Sequence, residues 1–120
     1  MISKSDMLAA CKRKYVTVKA FGGDVKIRVM TTSERTAFEQ SLQDHKGRVD
    51  KARQLSMRER LIAACVVDES GELMFADDDL ETLANLPADE AERLVDAIQS
   101  ACGWTKKEID NLGNDRSGDA

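Results

Sequence analysis

The sequence predicts an α+β fold, a mostly helical single domain that carries an antiparallel β-hairpin near its N-terminus. Three observations lead there. Residues 15–30 alternate apolar and polar side chains around a glycine pair, the period-2 pattern of two half-buried strands. Beyond Thr31 the apolar residues recur at helical spacing in short runs. Pro87 and glycines 47, 71, 103 and 113 punctuate those runs at helix length.

Taken in order, residues 3–12 (SKSDMLAACK) suit a short helix, with Ser5 as N-cap ahead of Met7, Leu8 and Cys11. The hairpin spans about residues 14–30. Val16, Val18 and Ala20 alternate with Tyr15, Thr17 and Lys19, and Val25, Ile27 and Val29 alternate with Lys26, Arg28 and Met30. Gly22-Gly23 is read as the two-residue loop, because primed hairpin turns need positive φ. One face is aliphatic and the other carries Lys19, Lys26 and Arg28. A lone hairpin is marginal in water, so helices must cover the aliphatic face.

The first covering helix is expected over 32–43. Thr31 with Glu34 forms a capping-box pattern, with Thr32 or Ser33 as alternative starts, and Ala37, Phe38 and Leu42 form the stripe. Segment 44–54 is polar and contains Gly47, which predicts an exposed, mobile loop. A central helix follows over 55–67, with Met57, Leu61, Ile62, Cys65 and Val66 inward. DESGEL is a turn and LMF a short apolar link. The next helix is placed at 78–86, with Asp77 or Asp78 as N-cap, Leu80, Leu83 and Ala84 inward, and Pro87 ending it. Residues 89–102 form the clearest helix, started by Ala88 or Asp89. Ala91, Leu94, Val95, Ile98, Ala101 and Cys102 keep its stripe, and Gly103 is placed at C′. Thr105 with Glu108 opens a last helix at 105–112 that buries Trp104, Ile109 and Leu112. The globular domain thus covers 1–112, and the polar residues 113–120 are expected to be a disordered tail.

One hundred and twenty residues support one modest core, and 4% aromatics argue against base stacking or an aromatic-lined pocket. Three cysteines without CxxC spacing point to a reducing compartment and away from a disulfide framework or zinc site. No apolar run reaches membrane-span length and no signal-peptide pattern opens the sequence, so a cytosolic protein without membrane contact is expected. Charge is split. Residues 1–60 hold 14 Lys/Arg against 7 Asp/Glu, and residues 61–120 hold 4 against 15. That asymmetry fits either head-to-tail self-association or two halves that cancel on folding.

No residue set carries catalytic chemistry. Cys65 lies on an apolar stripe and His45, the only histidine, in a polar loop, so the pair reads as packing and surface rather than nucleophile and base. The acids at 68–79 miss the glycine and glutamate positions of a calcium loop, and helix capping explains Asp77, Asp78 and Asp79. Gly22-Gly23 lacks any phosphate-loop context. Neither an enzyme, a metal nor a cofactor is predicted. The basic group Lys12, Arg13, Lys14, Lys19, Lys26 and Arg28 reads first as a solvated strand face. Contact with an acidic protein surface ranks second and nucleic acid last.

In order and spacing, several short patterns resemble the tail assembly chaperones of bacteriophages with long, non-contractile tails. They are the Gly-Gly hairpin; Thr31, Glu34, Arg35 and Phe38 of a T-x-x-E-R-x-x-F helix start; Ala63 to Gly71 (AACVVDESG); Met74 to Asp79 with Leu83; and Gly103-Trp104-Thr105 with Ile109 and Leu112. The resemblance covers residues 15–113 and implies a non-catalytic assembly factor, absent from the finished virion, acting in the host cytoplasm. Its implied partners are the tail tube and tape measure proteins. A programmed frameshift near the gene's end, adding a second domain to some copies, is a further implication. The family offers no active-site residues. The partner face is expected on the hairpin and the 44–54 loop, at Lys19, Lys26, Arg28, His45, Lys46 and Arg48, with β-augmentation as the binding mode. The alternative is a small regulatory protein binding nucleic acid through the basic hairpin face.

Overall fold

A computed structural model describes residues 1–104 of the chain. Its α+β architecture consists of short helices packed around one antiparallel sheet. A first helix, α1 (Lys4–Ala9), is capped by Ser3 and Asp6 rather than by Ser5 and buries no residue. Strands β1 (Tyr15–Ala20) and β2 (Gly23–Arg28) form the hairpin, in a register running from Tyr15↔Arg28 to Ala20↔Gly23. That register moves the loop by one residue. The turn is Phe21-Gly22, both at positive φ (56° and 76°), and Gly23 is the first paired residue of β2.

Thr31 and Glu34 close a full capping box on α2 (Thr32–Ser41). The segment placed in a loop at 44–54 is partly ordered by pairing. Gln43 bridges Val49, Asp44 ties the turn between them, and Asp50 caps α3 (Lys51–Leu55). The expected helix at 55–67 is shorter, running as α4 (Met57–Cys65). Val66 and Val67 switch to strand β3 (Val66–Val67) opposite Ile27 and Lys26, giving a sheet ordered β1-β2-β3. Two β-branched residues beside an open strand gain ladder bonds that another helical step would forfeit.

After β3 a turn built on Asp68 returns the chain so that Leu73 bridges Val67. The 78–86 helix resolves into a 3-10 turn (Asp77–Asp79) and α5 (Leu80–Leu83). Asp79, rather than Asp77 or Asp78, accepts from the Ala76 N–H, and Ala84 is exposed. Helix α6 (Ala88–Ala101) ends in a Schellman motif. Gly103 (φ 76°) donates to Ser100 O, and Trp104 donates to Gln99 O at 3.0 Å. The expected helix at 105–112 and the tail at 113–120 lie outside the described residues.

The core gathers Ile27 of β2, Leu61, Ile62 and Cys65 of α4, Val66 and Val67 of β3, and Leu94, Val95 and Ile98 of α6. Helix α6 crosses β1 on one side and packs against α4 on the other. Trp104 plugs the end of this core, its ring tilted against Phe38 with centroids 5.7 Å apart and the Arg35 guanidinium 4.6 Å from its centre. Helix α6 packs on β1 and its Glu90 reaches the hairpin loop at Phe21; Ala20 beside that loop is buried, whereas Val16 stays exposed.

Candidate partner-binding face

Edge strands follow from pairing. Val29 N–H donates to Lys14 O, which marks 14 and 29 as a hydrogen-bonded pair. Alternation along the unbroken register makes Val16, Val18 and Ala20 the residues that bond β2. Tyr15, Thr17 and Lys19 then turn their N–H and C=O groups away from the sheet. Among the described residues no group pairs with them, and all three are exposed. An unpaired strand edge is a template for another strand.

The sheet's outer face is organised by Tyr15. Lys26 Nζ sits 4.2 Å from its ring centre and also donates to Glu69 O at 3.4 Å, and Lys19 lies opposite Asp24. The Tyr15 ring reaches over β2 to the turn after β3, where a Cβ on Gly71 would fall 2.6 Å from the Tyr15 hydroxyl. Gly71 also holds φ at 89°.

Arg28 is occupied internally. Its Nε donates to Ala64 O at 2.7 Å and its guanidinium pairs with Glu34 at 2.9 Å. Arg13 completes a two-pronged grip on the same carboxylate, at 2.5 and 2.7 Å. With the Thr31 N–H added, these donors hold the Glu34 carboxyl at about 2, far below its ordinary range, Arg13 being the largest cause. Two of the six basic residues of the hairpin region, Arg13 and Arg28, thereby share one carboxylate, which offsets one of their two charges.

His45, Lys46 and Arg48 occupy a separate exposed turn. The Asp44 carboxylate accepts from the Lys46 and Arg48 N–H groups at 2.8 and 3.0 Å, and Arg48 approaches it at 3.6 Å. Those bonds, the Arg48 N–H foremost, lower the Asp44 carboxyl below its usual value. Of the six expected contact residues, Lys19 and Lys26 share the open hairpin face, Arg28 is committed to Glu34, and the other three belong to this turn.

Two features were not visible in the sequence. Phe21 is a bulky residue held in the left-handed region and 43% exposed; its N–H is pinned by Glu90 Oε2 of α6 at 2.8 Å. It lines a groove of about 680 Å³ with Val25, Met74, Phe75, Leu86 and Leu94. Strain of about 1 kcal/mol in a non-glycine residue at φ > 0 is a recurrent mark of functional surfaces. The second feature is the setting of two thiols. Cys65 is fully buried at the end of α4, and Cys102 accepts from the Met30 N–H at 3.4 Å.

No family model matches the chain, and no curated protein or solved structure matches it. Among the described residues no cluster of His, Cys, Asp or Glu is arranged to hold a metal, and no helix is long and apolar enough to cross a membrane.

Proposed function

We propose that this chain is a non-catalytic assembly chaperone of bacteriophage tails that engages the tail tube or tape measure protein through its hairpin. The observation that carries the reading is the outer edge of β1, where Tyr15, Thr17 and Lys19 present backbone groups that no other described residue pairs. A polymerising subunit whose strand edges are unsatisfied before assembly is capped by a complementary edge, at a cost low enough to be reversed when the next subunit arrives. Lys19 on that edge opposes pairing with a second copy of itself. The apolar groove at Phe21 offers side-chain anchorage beside the strand. Nucleic acid is disfavoured, because the Arg13 and Arg28 donors are committed to Glu34, which offsets one of their two charges, and Lys26 is engaged with Tyr15.

The test is co-expression of the tagged chain with tail genes, nuclease treatment and mass spectrometry of what stays bound. It is run in parallel with Thr17→Pro, which removes an N–H the intramolecular ladder does not use. Recovery of a tail tube or tape measure protein by the native chain and its loss with Thr17→Pro is the expected result. Only nuclease-sensitive material, or equal recovery by both chains, refutes the reading.

A further inference from the structure

Helix α1 is fixed by its own first turn and buries no residue. The Asp6 N–H donates to Ser3 Oγ and the Ser3 N–H to the Asp6 carboxylate, each at 3.1 Å. Its six residues fall well short of the roughly 12–15 below which isolated helices are marginal in water, so a helix here calls for a packed face. Ile2, Met7 and Leu8 make an apolar patch at α1, yet they stay 69%, 65% and 61% exposed. Around that patch stand Lys4, Lys12 and Lys14, all exposed.

The groove at Phe21 is its complement. Val25, Phe75 and Leu86 line it half-buried and Leu94 buried, while Phe21 and Met74 are exposed at its border. Two acids, Asp24 and Glu69, also line it and are exposed. Lys26, which lines it too, is held by the Tyr15 ring and Glu69 O. The groove therefore offers apolar walls with negative charge beside them, and α1 offers apolar side chains with positive charge beside them. Within one copy the two surfaces lie at different ends of the hairpin. Helix α1 leads into β1 at Tyr15, and the groove opens at Phe21, about 17 Å further along the strand.

We propose that α1 of one copy of this chain docks in the Phe21 groove of a second copy, with Met7 and Leu8 against its apolar walls and the neighbouring lysines facing Asp24 and Glu69. This is the helix-in-groove mode of recognition. The contact is head-to-tail, because the two surfaces differ. Each dimer keeps one free α1 and one free groove, so association continues to a ring or a short filament. The charge split between residues 1–60 and 61–120 has the same polarity as the contact. No tail protein is required, and the contact stands or falls independently of the chaperone reading. A segment this short covers less area than a permanent interface, which puts the contact in the transient class.

The experiment is sedimentation velocity on the full chain from about 10 μM to about 1 mM, the range that transient contacts occupy. The average mass is expected to climb past that of a dimer. Leu8→Glu and Met74→Glu are each expected to weaken association at least about tenfold, by placing a charge in an apolar contact. Both side chains are exposed, so urea unfolding midpoints should match the native chain. The deciding sample is an equimolar mixture of the two variants. The Met74→Glu chain keeps an intact α1 and the Leu8→Glu chain an intact groove, so the mixture should form a one-to-one dimer and nothing larger. A native chain that stays monomeric at about 1 mM, variants that associate as the native chain does, or a mixture that stays monomeric overturns the proposal.

Discussion

Replacing Glu34 with glutamine isolates the ion cluster between the hairpin and α2. Glutamine keeps a side-chain acceptor for the Thr31 N–H but leaves Arg13 and Arg28 without their anion. Lowering a carboxyl from 4.5 to about 2 corresponds to about 3 kcal/mol of folded-state preference for the charged form. Glu34 and Arg13 keep 23% and 33% of their side-chain exposure, so solvent screening reduces this to about 1.5 kcal/mol. Because the folded value is depressed, that contribution is fully present above the unfolded carboxyl value. It fades as pH falls from about 4.5 toward 2. Urea unfolding of the native chain and Glu34→Gln across this range measures it. The difference between them should be about 1.5 kcal/mol at neutral pH and shrink steadily in acid. A difference that stays constant with pH, or none at neutral pH, refutes the assignment.

Two further substitutions probe the hairpin. Gly71→Ala should destabilise the chain by about 2 kcal/mol in thermal or urea unfolding, since the added methyl meets the Tyr15 hydroxyl and φ stays positive. In a Tyr15→Phe background the steric part should vanish and about half the cost remain; an undiminished cost would show that Tyr15 is not the obstacle. Phe21→Asn creates the preferred Asn-Gly turn and should raise stability by about 0.5–1 kcal/mol and, under the proposed chaperone function, weaken recovery of a tail protein. Lower stability would contradict the account of strain at Phe21.

The sequence carried the hairpin and α6 because both are strongly periodic and both have local stop signals, such as Gly103. It placed the turn one residue late because the glycine pair masked that Phe21, not Gly23, takes the second positive φ. It ran the central helix through Val66 and Val67 because helical spacing continues there, and only the neighbouring β2 edge converts them to strand. The partner face was partly legible. Lys19 and Lys26 announce a basic strand face, but nothing local reveals that Arg28 turns inward to Glu34 and Ala64. The bond from the Met30 N–H to Cys102 was illegible, because residues 72 apart in the chain meet only through packing.

Tyr15 lying across β2 onto Gly71 also bears on how the sheet opens. A two-residue strand such as β3 is too short to hold its own amides against exchange. The ring links β1 to the turn beyond it, and Lys26 lies against that same ring. The three strands are therefore expected to open as one cooperative unit, with the inward amides of β1 exchanging with solvent at the rate of those of β3 and the outward amides of Tyr15, Thr17 and Lys19 far faster. One strand thus belongs at once to the slow interior and to a fast, receptive rim.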